Sequence, residues 1–269
     1  MKHILLLIFI SIALYSQTLS FGAISTVDKE IMKKKLSPLI NYISKTISKD
    51  LKFETGFDYS DTIEKFRDGT YDFGFIGPSP YVIATQNIDK HIKIIVGLNN
   101  KCNGNFHSVI IVKKGSNILK LPDLKGKNFA FGSPQSTLSY FMPMSLLQKN
   151  GVDKQLANFV FLGKHDRVAK YVIMGKYDAG AIKLSVAKKY SKYINIIKKT
   201  EHVPDFVIVA SSKTPDYIVK KVRKALLMPE AQKLARFIKS SATGFKKRTH
   251  SEYKELEKIM YKVNLVNKF

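Results

Sequence analysis

The sequence predicts an α/β fold with largely parallel sheets. Short apolar segments typical of strands alternate along the chain with segments whose apolar residues have helical spacing. Several of these strands also run directly into a turn of small and hydroxyl residues that opens a helix, most clearly in residues 129–147. Ligands of such folds bind beyond the carboxyl ends of the strands, so we expect a site at these junctions.

The composition limits the possible function classes. The chain has 269 residues, enough for one large or two smaller domains, and its hydrophobic content of 45% is that of a packed protein. The formal net charge is +24, but the lysines are dispersed. We interpret this charge as a solvated basic surface and expect no nucleic-acid partner. The single Cys102 excludes an internal disulfide and a multi-cysteine zinc site, and we expect no metal and no cofactor.

The N-terminus has the pattern of a signal peptide. A short basic start precedes an apolar run over residues 4–15, which at about 12 residues is too short for a membrane span of roughly 20. We therefore predict that residues 1–17 are a signal peptide. An uncleaved N-terminal anchor is the alternative, because the small-residue pattern of a cleavage site is indistinct.

In the first part of the chain, periodicity and turn residues define the elements. Apolar residues at helical spacing predict a helix within residues 28–48, although Pro38 implies a break or a start near Leu36. Ser60 is expected to begin a short helix and Gly69 to stop it. The other elements predicted here are strands at 19–24, 51–55, 71–76 and 91–97, and a helix at 82–86.

In the second part of the chain, two apolar strands near residues 106–112 and 206–210 are candidates for crossing between lobes. We predict that lobe 2, residues 106–205, is inserted into lobe 1, which comprises residues 18–105 and 206–269. The remaining predicted elements are strands at 129–131, 159–161, 177–182 and 193–197, helices after Ser136 and at 168–174, 216–227, 229–237 and 251–263, and a loop at 240–244.

The turn after residues 129–131 has the chemistry of an anion site. Ser136, Thr137 and Ser139 fall where the following helix should begin. Serine and threonine are good N-caps, and the unpaired amides of a first turn, together with the helix dipole, attract an anion. We therefore expect a tetrahedral oxyanion at these three residues, with an ordinary capped helix as the alternative.

Several motifs, in this order and spacing, resemble periplasmic substrate-binding proteins of phosphate, phosphite and phosphonate ABC transporters. The motifs are Asp58-Tyr59, Gly69-Thr-Tyr-Asp72, Gly77-Pro-Ser-Pro-Tyr81, Asp123-Leu-Lys-Gly-Lys127, Ser136-Thr137, Gly163-Lys-His-Asp166 and Gly175-Lys-Tyr-Asp-Ala-Gly180. The resemblance implies a two-lobed clamshell in which each lobe is a mixed, mostly parallel sheet flanked by helices, with the ligand between the lobes.

The resemblance also implies further ligand contacts from Tyr59, Tyr81, His165 and Asp178. The tyrosines and His165 would donate to the oxyanion, and Asp178 would accept from a protonated ligand oxygen or a ligand ammonium. The chain departs from the family's Ser-Thr-Ser-Gly turn, because Leu138 stands where a hydroxyl is usual and Ser139 where glycine is usual. These departures leave the choice of ligand open.

The resemblance favours a monomeric periplasmic protein that delivers a small phosphorus oxyanion to a membrane ABC permease. Two alternatives stay open. One is a sensor of a different small acid that signals to a membrane partner. The other is an enzyme on the same fold, because Ser136, His165 and Asp178 contain the residue types of a hydrolytic triad. We expect no catalytic residues, since no nucleophile elbow is present.

Overall fold

The computed structural model describes residues 18–24, 28–86 and 92–266, without the side chains of residues 265 and 266. The predicted signal peptide, residues 1–17, lies outside the described residues. Within the described ranges, none of the helices combines the length and the apolar character needed to cross a bilayer.

The strands form two large mixed sheets and one small one. A six-stranded sheet has the order β13-β4-β12-β3-β1-β2, a five-stranded sheet the order β10-β6-β9-β7-β8, and β11 pairs with β5. The strands are β1 (Leu19–Ala23), β2 (Leu51–Glu54), β3 (Phe73–Ile76), β4 (Lys93–Asn100), β5 (Asn105–Phe106), β6 (Ser108–Lys113), β7 (Asn128–Phe131), β8 (Asn158–Phe161), β9 (Ala179–Lys183), β10 (Ile194–Lys199), β11 (Val203–Pro204), β12 (Val207–Ala210) and β13 (Ala242–Lys246).

Helices connect these strands. The α-helices are α1 (Lys29–Ile47), α2 (Tyr59–Arg67), α3 (Pro78–Thr85), α4 (Met142–Lys149), α5 (His165–Ile173), α6 (Leu184–Lys189), α7 (Asp216–Leu227), α8 (Pro229–Gln232), α9 (Leu234–Ile238) and α10 (Lys254–Val266). Short 3₁₀ turns lie at Leu121–Leu124, Asp153–Gln155 and His250–Tyr253, and a π-helical turn at Thr137–Phe141 precedes α4.

The α/β class and the two-lobed architecture are confirmed. We call the unit around the six-stranded sheet lobe 1 and the unit around the five-stranded sheet lobe 2. Lobe 1 takes its strands from both ends of the chain and lobe 2 from the middle, while the predicted domain boundaries themselves stay a prediction.

Parallel pairing is less dominant than predicted. The parallel pairs are β1 with β2 and β3 in lobe 1, and β7 with β8 and β9 in lobe 2. The other neighbours in the two large sheets are antiparallel. For all of these pairs except β13 with β4 the reason is topological: β6 and β12 follow the crossings between the lobes and therefore enter their sheets from the opposite end.

Helix α1 runs through Pro38 without the predicted break. A proline inside a helix costs about 3 kcal/mol, because one hydrogen bond is lost and the ring crowds the preceding turn. Here the turn before Pro38 faces solvent at Lys34, and apolar residues on both sides of the proline are buried. Burial of each such side chain stabilises the helix by about 1.5–3 kcal/mol, which outweighs the cost. The buried residues are Met32, Leu36, Leu39, Ile40, Ile43 and Ile47.

Two further predictions are corrected at loops and crossings. Residues 240–244 were expected to be a loop, but β13 begins at Ala242 and pairs antiparallel with β4. Each crossing segment consists of two strands, β5 with β6 and β11 with β12, rather than one long strand. The short pieces β5 and β11 pair with each other and form the two-stranded connection between the lobes.

The C-terminal helix packs against both lobes. Helix α10 contacts α3 in lobe 1 and α4 in lobe 2. Its buried residues Leu256, Met260 and Val263 belong to one apolar cluster that also contains Tyr81 of lobe 1 and Met144 of lobe 2. This shared core holds the two lobes close together on the side of the molecule where α3 and α4 begin.

Candidate functional site

A small cavity lies between the two lobes, at the carboxyl ends of strands from both sheets. Its volume is about 40 Å³. A single water-sized position needs about 10–15 Å³ on this measure, so the cavity holds a ligand of only a few atoms. The residues that line it are Ile24, Tyr59, Gly77, Pro78, Pro80, Phe106, Ser136, Thr137, Leu138, His165, Lys183 and Phe206.

The π-helical turn presents free backbone donors to this cavity. Ser136 caps it, and its side-chain oxygen accepts from the amide of Ser139 at 3.1 Å. The amides of Tyr140 and Phe141 both donate to the carbonyl of Ser136. Within the described chain, the amides of Thr137 and Leu138 have no acceptor. Free amides at the start of a helical segment are suited to an anion.

His165, the first residue of α5, contributes a neutral donor. Its Nδ1 accepts from the backbone amide of Lys183 at 3.2 Å. Burial, with Lys183 nearby, lowers the pKa of His165 to about 3, so the ring is neutral at physiological pH. Because Nδ1 acts as an acceptor, the hydrogen of the neutral ring is on Nε2, where it can be donated to an oxyanion.

Tyr59 is the donor from lobe 1. It is the first residue of α2, and its hydroxyl is close enough to the Ser136 side chain across the cleft to interact with it. Burial raises the pKa of Tyr59 to about 12, so the hydroxyl keeps its hydrogen. Since Ser136 Oγ already accepts from Ser139, its own hydrogen can be donated to the tyrosine oxygen, which leaves the tyrosine hydrogen for an anion.

Direct hydrogen bonds join the lobes beside the cavity. The amide of Ser79 in lobe 1 donates to Thr137 Oγ1 at 2.9 Å, and the two hydroxyl oxygens are 2.7 Å apart. Ser79 Oγ also donates to the carbonyl of Gln135 at 2.6 Å, and Gln135 Nε2 donates to Ser60 Oγ at 2.7 Å. The lobes are thus in direct contact around the cavity, as expected for a closed clamshell.

The donors described above meet at one interlobe cavity. The sequence of this chain matches a family model over residues 21–253. The model describes the periplasmic substrate-binding protein of phosphonate ABC transporters. The chain belongs to this family. The match covers most of the chain, including both large sheets and the cavity between them.

Individual members of the phosphonate-binding family are similar as well. A probable ABC transporter phosphite-binding protein, PhnD1, from Prochlorococcus marinus (strain MIT 9301) is 28% identical over 218 residues, covering 75% of this chain and 68% of the relative. The structure of PhnD1 from the same organism in complex with methylphosphonate has a TM-score of 0.81 at 25% identity, covering 93% of this chain and 99% of that chain.

A binding-protein component of an ABC phosphonate transporter from Pseudomonas aeruginosa has the same fold. Its TM-score is 0.78 at 19% identity, and the match covers 93% of this chain and 88% of that chain. At this identity the similarity supports the two-lobed fold alone.

Of the seven residues proposed from the sequence, the structure brings four to the cavity and three elsewhere. Tyr59, Ser136, Thr137 and His165 line it. Tyr81 does not: its hydroxyl is 3.0 Å from His250 Nδ1 and its ring packs against Tyr253. The reason is that α3 begins at Pro78, so Tyr81 lies inside the helix, on the face that packs against the C-terminal segment, rather than in the turn.

Ser139 is buried below the cavity as a structural residue. Its Oγ accepts from the amide of Gly132 at 2.6 Å and donates to the carbonyl of Ala181 at 2.5 Å. A side chain at Gly132 would lie 2.7 Å from that oxygen, so the close approach requires glycine. Ser139 thus fixes the π-helical turn to β7 and β9 and does not line the cavity.

Asp178 is at the wrong end of its strand for the predicted role. Its Oδ2 accepts from the amide of Asn128 at 2.8 Å, where β7 begins, and it precedes β9. Lys183, the last residue of β9, lines the cavity. At about 3.3 Å per residue the two positions are roughly 16 Å apart along the strand. Asp178 therefore cannot contact a ligand in this cavity.

Sequence reasoning missed Lys183 and the apolar wall. The rule that ligands bind beyond the carboxyl ends of strands could have identified Lys183, because it directly follows the apolar residues of β9. Phe106 and Phe206, in the segments that cross between the lobes, carry no such signal. Among the described residues, no group of three or more histidine, cysteine, aspartate and glutamate side chains is placed to hold a metal.

Proposed function

We propose that this protein captures a compact phosphorus oxyanion in the cleft between its lobes and delivers it to an ABC permease. The observation that carries the proposal is the convergence of four kinds of donor on one small cavity: the amides of Thr137 and Leu138, the Tyr59 hydroxyl, His165 Nε2 and the Lys183 amine. Donors aimed at an anion in a largely dry site form strong, charge-assisted hydrogen bonds.

The size of the cavity supports a small ligand. A volume of about 40 Å³ suits phosphite, phosphate or methylphosphonate better than a ligand with a long substituent. The methylphosphonate bound to the structural relative from Prochlorococcus marinus belongs to this size class.

The periplasm is the compartment in which such a protein meets its permease, and we propose it as the location of the mature chain. Residues 1–17 would direct the chain there. We propose that the protein acts as a monomer without a cofactor. Transport is favoured over sensing because the family model describes a transporter component.

We propose that the protein is not an enzyme, and the arrangement of the triad-type residues supports this. In a hydrolytic triad, the ring nitrogen that does not face the nucleophile donates to a carboxylate. His165 Nδ1 instead accepts from the amide of Lys183, and Asp178 lies at the far end of β9. Neither residue is therefore placed to activate Ser136 as a nucleophile in the way a triad does.

Titration calorimetry of the purified protein with phosphite, phosphate, methylphosphonate and sulfate tests the proposal. We expect one ligand per chain and binding of at least one phosphorus oxyanion, with a positive shift of the melting temperature by mass action. Absence of heat and of a melting shift with all three phosphorus compounds would contradict the proposed function.

A further inference from the structure

Lys183 lines the interlobe cavity and has a side-chain amine without a partner carboxylate in the described part of the chain. It is the last residue of β9, next to His165, and it lines the cavity wall. In the described part of the chain, its amine has neither an ion-pair partner nor a hydrogen-bond acceptor. Burial, with Lys239 nearby, lowers the pKa of Lys183, as expected for an ammonium without a counter-ion of its own.

The carboxylates nearest to Lys183 are engaged with other cations. Asp166 accepts from Lys189 at 2.5 Å and from the Tyr190 hydroxyl at 3.0 Å. Asp205 is buried and paired with Lys239. None of the residues lining the described cavity carries a carboxylate. The site therefore has a positive charge and neutral donors, but no acceptor for a cationic group.

This charge distribution has different consequences for two classes of phosphonate. An anionic ligand without an amine compensates Lys183, and the attraction is strong because the cavity is small and mostly lined by apolar groups. An aminoalkyl ligand would bring an ammonium into the same small space as Lys183. That ammonium would be repelled and would lose its hydration without gaining a carboxylate.

We propose that Lys183 is a specificity-determining residue that selects phosphorus oxyanions without an amino group and rejects aminoalkylphosphonates. This inference rests on the proposed function, since it concerns the ligand of the same cavity. It also replaces the prediction from sequence that Asp178 would accept from a protonated ligand oxygen or a ligand ammonium, because Asp178 does not line the cavity and Lys183 does.

A matched pair of ligands isolates the effect of charge. Ethylphosphonate and aminomethylphosphonate have the same number of non-hydrogen atoms, but one ends in a methyl group and the other in an ammonium. By calorimetry on the wild-type protein, we expect ethylphosphonate to bind at least 10-fold more tightly than aminomethylphosphonate. Equal affinities for the two, or tighter binding of aminomethylphosphonate, would overturn the inference.

Substitution of the lysine tests the residue itself. In Lys183→Met, which keeps the length but not the charge, we expect methylphosphonate affinity to fall at least 10-fold and the ratio between the matched ligands to approach one. Lys183→Arg should retain the discrimination. Lys188→Met, at an exposed lysine on α6 that lies outside the cavity lining, is the matched control and should bind as the wild type does.

The possible outcomes separate this inference from the proposed function. If the protein binds none of the phosphorus oxyanions, the proposed function fails. If methylphosphonate binds equally well to the wild type and Lys183→Met, only the role of Lys183 fails. If ethylphosphonate is too large to bind, the methylphosphonate affinities of the wild type, Lys183→Met and Lys188→Met decide whether Lys183 holds the anion. Circular dichroism melting of each variant verifies that it is folded.

Discussion

Two strand–turn–helix junctions face each other across the cleft. They are similar in sequence but differ in how many backbone amides they leave free for a ligand. The junction in lobe 1 is Gly77-Pro-Ser-Pro and the junction in lobe 2 is Gly132-Ser-Pro-Gln-Ser-Thr. In lobe 1, prolines at 78 and 80 have no N–H, and the amide of Ser79 donates to Thr137 Oγ1. In lobe 2, the amides of Thr137 and Leu138 remain free.

The difference assigns separate roles to the two lobes. Of the lobe 1 junction, two prolines line the cavity and the amide of Gly77 alone has no acceptor among the described residues, so we expect this junction mainly to close over the ligand and exclude water. The lobe 2 junction offers amides, and the neighbouring strands add His165 and Lys183. A small-residue turn before a helix therefore does not by itself predict an anion site. The position of proline decides whether the amides are available.

The largest expected effect is the pH dependence of stability from His165, a donor of lobe 2. Its pKa is about 3 in the folded protein and about 6.5 when unfolded, so the unfolded state binds a proton that the folded state does not. Stability is therefore complete above pH 6.5 and is lost as the pH falls towards 3. The slope is about 1.4 kcal/mol per pH unit, on the order of 5 kcal/mol over the window.

Urea denaturation of the wild type and of His165→Asn between pH 7 and pH 4 measures this effect. Asparagine can accept from the Lys183 amide and stays neutral, so its stability should fall less steeply with acid. Other groups titrate in both proteins, and only the difference between the two curves is diagnostic. Parallel curves would show that His165 is not held neutral by burial.

The hydrogen bond between the two junctions is expected to affect ligand affinity by about as much as the Tyr59 hydroxyl does. Thr137→Val keeps the shape of the side chain but leaves the buried amide of Ser79 without an acceptor when the lobes close. An unsatisfied buried donor costs about 1–3 kcal/mol, which corresponds to an affinity loss of roughly 5- to 150-fold for methylphosphonate. Thr137→Ser keeps the hydroxyl and should bind nearly as the wild type. Unchanged affinity in Thr137→Val would show that the hydrogen bond between Ser79 and Thr137 does not contribute to ligand binding.

The two tyrosines of lobe 1 provide a matched comparison. Tyr59→Phe removes a hydroxyl that reaches the cavity, whereas Tyr81→Phe removes one that contacts His250. A lost hydrogen bond to a charged group costs about 1.5–3 kcal/mol, so Tyr59→Phe should weaken methylphosphonate binding roughly 10- to 150-fold by calorimetry. Tyr81→Phe should change the affinity less than about 2-fold. A larger loss of affinity in Tyr81→Phe than in Tyr59→Phe would mean that the ligand binds near Tyr81 and not in the cavity.

The smallest effect is expected at the far end of β9. Asp178→Ala removes the acceptor for the Asn128 amide and should lower the free energy of unfolding by about 0.5–1.5 kcal/mol. Its affinity for methylphosphonate should equal that of the wild type, because the carboxylate lies away from the cavity. If Asp178→Ala lost affinity for methylphosphonate but kept the stability of the wild type, Asp178 would have to contact the ligand.

Much of the fold could be predicted from periodicity, but errors arose where tertiary contacts override local signals. Pro38 breaks helices in isolation, yet α1 continues because apolar residues on both sides are buried. Residues 242–246 have weak strand character, and their strand exists because they pair with the edge of β4. Neither the packing nor the pairing partner can be read from the local sequence.

The site was predictable to the extent that it follows from strand ends. Ser136, Thr137 and His165 directly follow strands and lie at the cavity. Tyr81 failed because the start of α3 was placed four residues too late, which rotates a side chain to a different face. The contact of Asp178, like those of Tyr59 and His165, was implied by the resemblance, but Asp178 precedes its strand and does not line the cavity. The rule that ligands bind beyond the carboxyl ends of strands would have selected Lys183 instead.

A crystal structure of the protein with methylphosphonate tests the central claim, that the amides of the lobe 2 junction hold the anion. We expect phosphonate oxygens about 2.7–3.2 Å from the amide nitrogens of Thr137 and Leu138. We expect further contacts from Tyr59, His165 Nε2 and the Lys183 amine. A phosphonate bound elsewhere, or one in the cleft that contacts the lobe 1 junction and leaves these two amides unoccupied, would contradict it.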